Sequence, residues 1–178
     1  MLAARSDPVF DSLDWQRAIA GAITEARVDT VAYIPDARLR GIVSALDGPA
    51  TRILTREEEC IAYASGQLAV GRRAVVLMQC SGLGNALNAL GSLSIPYELM
   101  PPMVLSMRGT LGEGNPAQVP MGRATRPMLE GLGIQVFQLD DPGAAAATMA
   151  GALELGFRTR TGAALLLGAI LGGGRERD

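Results

Sequence analysis

The sequence has 178 residues, 48% of them hydrophobic, and a net charge of -2, enough chain for one domain with a full core and too little for two. That charge offers no electrostatic basis for binding nucleic acid or an anionic membrane surface. His is absent and all 16 basic side chains are Arg, which excludes a Ser-His or Cys-His nucleophile, a Schiff base and a Walker-type phosphate loop.

Any catalysis by this chain therefore draws on carboxylates, Arg, backbone groups and a cofactor. The two cysteines, Cys60 and Cys80, make neither a disulfide framework nor a metal cluster, and zinc lacks its commonest nitrogen ligand. Residues 1–10 carry Arg5 and Asp7 without an apolar run of signal-peptide length. These features lead us to expect a cytoplasmic protein with reduced thiols.

In chain order, an amphipathic stretch over residues 14–27 predicts the first helix, and the apolar run 30–34 the first strand. Pro35-Asp36 closes that strand and opens a helix over 36–46, with Asp36 where a carboxylate favours a helix N-terminus. Strand 51–54, helix 57–70 and the stop signal Gly71 come next, then strand 74–78 and helix 82–93. A strand at 103–106 leads into a long loop, 110–121, and a helix over 122–132. The chain continues with strand 134–139, the corner Asp140-Asp141-Pro142, helix 142–156 and strand 163–167. The apolar stretch 163–171 is interrupted by Gly168 and falls well short of the ~20 residues that span a bilayer.

Several of these strands are apolar throughout, as strands covered on both faces must be. The alternation predicts an α/β fold: a single three-layer domain over residues 1–171, with a mainly parallel six-stranded sheet and helices on both faces. A flexible tail is expected over 172–178.

Ligands of open α/β sheets gather at the carboxyl ends of the strands, so the loops there carry the functional argument. Glu57, Glu58 and Glu59 open a helix. Acidic residues in a first turn complement the helix dipole by about 0.3–1 kcal/mol each, but successive residues point in different directions, so one can face the core or a neighbouring chain. The loop Gln79-Cys80-Ser81-Gly82-Leu83-Gly84-Asn85 lets backbone approach a ligand closely. It is a poor dinucleotide fingerprint, because the third glycine falls on Leu87. A glycine-rich turn without a ligand remains open on spacing alone. Arg108 follows an apolar strand, where it can fork onto a carboxylate, sulfonate or phosphonate, or simply make a surface ion pair. The loop after it, with Gly112, Gly114, Pro116 and Pro120, has the length of a lid or interface segment.

Three stretches together resemble the α (pyrimidine-binding) subunit of the sulfopyruvate/phosphonopyruvate decarboxylase family of thiamine-diphosphate enzymes. They are Thr55-Arg56-Glu57-Glu58-Glu59-Cys60 with Gly66-Gln67-Leu68-Ala69; the run from Leu77 to Asn88; and Arg108-Gly109 with the run from Ala117 to Thr125. Tyr33-Ile34-Pro35-Asp36 fits as well, and the third stretch is closer to the sulfopyruvate branch.

The resemblance implies the pyrimidine domain of the thiamine-diphosphate-binding fold and a 2-oxoacid decarboxylase, a lyase acting on 3-sulfopyruvate to give sulfoacetaldehyde and carbon dioxide. It implies that Glu57, counted back from Gly66, hydrogen-bonds the aminopyrimidine ring, with Glu58 and Glu59 as the alternatives if the register slips. Asp36 would touch substrate or relay a proton. Gln79, Ser81, Gly82, Leu83 and Asn85 would line the cofactor, and Arg108, Cys80 and Gln118 the substrate. Cys80 departs from the family's usual Asn, and a thiol is a weaker donor and acceptor than an amide.

No Gly-Asp-Gly occurs in the sequence; in the family that motif holds the magnesium and with it the diphosphate. The resemblance therefore implies a diphosphate-binding β subunit that brings Mg2+, with no metal ligand on this chain. Phosphonopyruvate or another 2-oxoacid as substrate, and a non-catalytic module that retains the fold, stay open as alternatives.

Overall fold

In the computed structural model, which describes residues 14–172, helices and strands alternate along the chain. They run α1 (Asp14–Glu25), β1 (Thr30–Tyr33), α2 (Arg40–Ala45), β2 (Ala50–Ile53), α3 (Glu57–Ala69), β3 (Ala74–Gln79), α4 (Leu83–Ala89), β4 (Met103–Ser106), α5 (Val119–Gly131), β5 (Gln135–Leu139), α6 (Ala145–Thr159) and β6 (Ala163–Leu167). The strands form one sheet in the order β2-β1-β3-β4-β6-β5, and every neighbouring pair is parallel. Parallel neighbours need crossover connections, and the helices supply them.

Alternate side chains of each strand feed two separate cores. Val31, Val75, Leu77, Val104, Leu165 and Leu167 point to one face, where Ile19 and Ile23 of α1, Ile42 of α2 and Met149 and Leu153 of α6 cover them. Ala32, Val76, Met78, Leu105 and Leu166 point to the other, against Ile61 and Ala64 of α3, Ala86 of α4 and Leu129 of α5. The three layers follow from this period of two. No helix among the described residues is long and apolar enough to cross a membrane.

One consequence of the strand order positions the site. The chain runs from β1 outward to the edge strand β2, then returns to place β3 on the other side of β1. The helix after β1 packs on one face of the sheet and the helix after β3 on the opposite face. The two loops thus part and leave a crevice at the carboxyl ends of β1 and β3, where such folds bind ligands.

Several element boundaries differ from the sequence expectation, and three of them bear on the site. The second helix begins at Arg40, not Asp36, because the Asp36 side chain takes the Arg38 backbone N–H at 2.9 Å and holds a turn there. The helix expected over 82–93 is α-helical only to Ala89 and passes into a π-helical turn, Leu90–Ser94. The long loop expected over 110–121 is shorter, since Pro116–Gln118 forms a 3-10 turn and α5 begins at Val119. Pro116 and Pro120 fit there because the first turn of a helix has no use for their missing N–H. Of the tail expected over 172–178, all but residue 172 lies outside the described residues, as do residues 1–13.

Candidate active site

The first turn of α3 sorts the three glutamates into different environments. Glu59 bends back over the helix start, where its Oε2 accepts from the backbone N–H groups of Thr55 and Arg56, both at 3.1 Å, and from the Thr55 hydroxyl at 2.9 Å. It is a helix cap, and the Thr55 hydroxyl and backbone hold its carboxyl below the ordinary carboxylate value. Glu58 pairs with the Arg56 guanidinium, and its second oxygen is buried without a hydrogen-bond partner among the described residues.

Glu57 alone turns toward the loop after β3. Its Oε2 accepts from Asn85 Nδ2 at 3.0 Å, and its Oε1 has no hydrogen-bond partner among the described residues. Gly82 makes this approach possible: a Cβ there would lie 2.3 Å from Glu57 Cγ and 2.5 Å from Oε1, inside any allowed contact. The glycine is needed for clearance, since its φ of -69° suits any residue.

A second cluster crosses the crevice. Asp36, after β1, and Arg108, after β4, form an ion pair in which Nη2 lies 3.3 Å from Oδ2. Arg108 Nε donates to Gln79 Oε1 at 3.3 Å, and Gln79 Nε2 donates to Ser81 Oγ at 2.6 Å. The Asp36 side chain is 6% exposed and that of Arg108 33%, so the guanidinium stands between the carboxylate and solvent. Behind them, the Arg38 guanidinium donates to the Met107 carbonyl at 2.8 Å and to the Gly168 carbonyl. It ties the loop after β1 to the ends of β4 and β6.

The loop leaving Arg108 is held by Glu113, whose carboxylate accepts from the backbone N–H groups of Gly109 at 3.0 Å and Asn115 at 2.9 Å. These bonds, aided by the Arg108 charge, keep the Glu113 carboxyl below its ordinary value. Gly109 has φ +67°, and a Cβ there would lie 2.3 Å from the Gln118 carbonyl. The start of α5 thus lies directly on the residue after Arg108.

The residues expected at the site therefore separate. Glu57, Gly82 and Asn85 come together, as do Asp36, Arg108, Gln79 and Ser81. Gln118 reaches the neighbourhood through its main chain, and its side chain makes no hydrogen bond among the described residues.

Two of the expected side chains lie deeper than the others. Cys80, expected among the substrate-binding residues, is fully buried, and its Sγ accepts the Arg108 backbone N–H at 3.2 Å. It supports Arg108 from within the core. The side chain of Leu83, expected at the cofactor, is fully buried in the same core and leaves only its main chain to contribute.

Sequence reasoning missed Arg38 and Glu113. A basic residue two positions after Asp36 was the visible signal for the first, but its carbonyl partners lie 69 and 130 residues away. Glu113, between two loop glycines, carried no signal of its own.

No protein-family profile matches the sequence. The chain is 38% identical over 156 residues to a sulfopyruvate decarboxylase subunit alpha of Methanococcus maripaludis, covering 86% of this chain and 93% of the relative. It is 35% identical over 158 residues to the subunit of the same name from Methanothermobacter thermautotrophicus, covering 87% and 96%. Among solved structures, the fold matches a thiamine diphosphate-dependent 4-hydroxybenzoylformate decarboxylase of Rhodococcus jostii with a TM-score of 0.64 at 16% identity. That match takes in 86% of this chain and 29% of the much longer solved one.

Proposed function

The chain belongs to the family of sulfopyruvate decarboxylase α subunits, and from that premise we propose that it is the pyrimidine-binding half of a thiamine-diphosphate-dependent enzyme that decarboxylates 3-sulfopyruvate to sulfoacetaldehyde. The observation that carries this reading is the carboxylate of Glu57: one oxygen held by Asn85, the other open, and a glycine cut away beside it. Such a group suits the ring nitrogen of an aminopyrimidine, so the residues fit the cofactor.

Thiamine diphosphate, when bound, supplies the electron sink that lets a 2-oxoacid lose carbon dioxide. The chain's own side chains divide the remaining work. Glu57 holds a proton between Oε1 and the cofactor's ring, and Asn85 fixes the carboxylate so that this oxygen keeps its direction. Gln79, Ser81, Gly82 and the main chain of Leu83 line the approach. Arg108 binds the anionic end of the substrate, where a guanidinium fork suits a sulfonate. Asp36 is better suited to holding that guanidinium than to meeting substrate, because its carboxylate lies behind the guanidinium, with one oxygen bonded to Arg108 and the other to the Arg38 N–H.

The rest of the site belongs to a partner. The relatives are named α subunits, and this sequence contains no Gly-Asp-Gly; both facts support a β subunit that brings the magnesium and diphosphate sites. The two free cysteines fit a reducing cytoplasm. The Cys80 thiol is buried and accepts the Arg108 backbone N–H, a supporting role that does not favour a non-catalytic module.

The test is reconstitution. This chain is co-expressed with a partner carrying Gly-Asp-Gly, and 2-oxoacids are screened for aldehyde release with thiamine diphosphate and magnesium. Activity on 3-sulfopyruvate is expected only from the pair. Full turnover by this chain alone would overturn the split site, and no turnover by the pair would overturn the reading.

A further inference from the structure

Hydrogen-bond chemistry fixes a direction on the chain of contacts from Asp36 to Ser81. A guanidinium has donors only. Arg108 Nε faces the Gln79 amide at 3.3 Å, so Gln79 must present its oxygen there and turn its NH2 the other way. That NH2 meets Ser81 Oγ at 2.6 Å, so the hydroxyl must accept. A hydroxyl that accepts from Gln79 has its own proton left to give elsewhere.

At the opposite end, Asp36 takes Nη2, and Nη1 of Arg108 has no hydrogen-bond partner among the described residues. Ser81 is half-buried and the Arg108 side chain 33% exposed, so neither donor is sealed off, and the Gln79 amide with its two hydrogen bonds links the residues that carry them. Partial burial strengthens each bond of such a chain.

We infer that Ser81 is a specificity-determining donor: its hydroxyl proton, directed outward by Gln79, joins Nη1 of Arg108 on the sulfonate of the bound 2-oxoacid. This rests on the function proposed above and adds to it the residue that completes anion recognition. A sulfonate offers several oxygens, all of them acceptors, to this pair of donors. A neutral ring offers the guanidinium nothing comparable, so the pair selects the substrate's charged end. Gln79 is then a positioning residue, acting only through the polarity that it imposes on Ser81.

The experiment uses the assembled complex with thiamine diphosphate and magnesium. It measures turnover of 3-sulfopyruvate and, by calorimetry, the binding of 3-sulfopropanoate, which carries both anionic ends without the 2-oxo group. Ser81→Ala is expected to weaken both KM and the calorimetric Kd by about 10- to 100-fold, the worth of one hydrogen bond to a charged group. Gln79→Glu keeps an acceptor for Arg108 but has no NH2, so Ser81 donates to the introduced carboxylate and is withdrawn from the ligand. It should be at least as weak as Ser81→Ala, since the added charge also opposes the sulfonate, and the double variant no weaker than Gln79→Glu alone.

Gln79→Met removes the guide without adding charge and should fall between wild type and Ser81→Ala. Thermal melts check that each variant is folded. An active wild type with unchanged affinity in Ser81→Ala, or with losses that multiply in the double variant, overturns this inference alone. A wild-type complex without decarboxylase activity overturns the underlying reading and this inference with it.

Discussion

Glu57 and Asn85 stand 28 residues apart, at the first turns of α3 and α4, and share a 3.0 Å hydrogen bond across the mouth of the crevice. The bond joins two helices that follow different strands. It holds one carboxylate oxygen and leaves the other open, and it is made between partly exposed groups, so its loss should scarcely affect folding.

Glu57→Gln is therefore expected to leave the melting temperature of the chain unchanged while lowering decarboxylation by the assembled complex about 10²–10⁴-fold, the usual worth of a positioned proton-handling group. Carbon dioxide release measures the second quantity and a thermal melt the first. Wild-type turnover in this variant would move the role to another residue.

Gly82→Ala probes the same oxygen from outside. The three atoms nearest the new methyl all belong to the Glu57 side chain, at 2.3–2.6 Å, so Glu57 must rotate away. A displaced rotamer costs about 0.5–1.5 kcal/mol, or a few degrees of melting temperature for a chain of this size. Activity should fall nearly as far as in Glu57→Gln. A fully active Gly82→Ala complex would show that the position of Glu57 is not critical.

Asp36→Asn separates two roles. If the carboxylate only holds Arg108, the variant should raise KM for 3-sulfopyruvate about tenfold, roughly what a weakened charge-assisted hydrogen bond costs, with kcat preserved. If Asp36 instead carries a proton in the reaction, kcat should collapse and KM stay put. The 6% exposure of its side chain favours the first outcome, and steady-state kinetics decide.

Cys60 supplies a pH test. Burial first, and then the Glu57 and Glu59 charges, push its thiol up from 9.0 to about 12. The unfolded chain sheds this proton near pH 9 while the folded chain keeps it. Above that pH the unfolded state binds fewer protons, and stability falls by on the order of 1 kcal/mol per pH unit toward pH 12. Urea melts from pH 8 to 11 should show a shallower decline for Cys60→Ala than for wild type, and equal slopes would contradict the assignment. Both thiols, being fully buried, should react with an alkylating reagent only once the chain is unfolded.

Much of the fold was legible because buried parallel strands leave uninterrupted apolar runs. The strands expected at 103–106 and 163–167 coincide with β4 and β6. Boundaries failed where a side chain competed with the helix, as Asp36 does, or where Pro116 and Pro120 stood in for a helix start and read as loop.

In the site, counting pointed to Glu57, but its separation from Glu58 and Glu59 was not legible, because it depends on Asn85 and Gly82 from another loop. The pairing of Asp36 with Arg108 spans 72 residues and leaves no local pattern. The burial of Cys80 was legible. Val76 and Met78 share one buried face, and alternation carries Cys80 onto the same side.

Arg38 adds one thing more. Its guanidinium bonds to the carbonyls of Met107 and Gly168, and a guanidinium keeps its charge at every pH a cell reaches. The frame that carries Arg108 is thus a fixed jig, clamped by main-chain atoms that every substitution leaves in place. Side chains mounted on it can be altered without removing the carbonyls that the clamp holds.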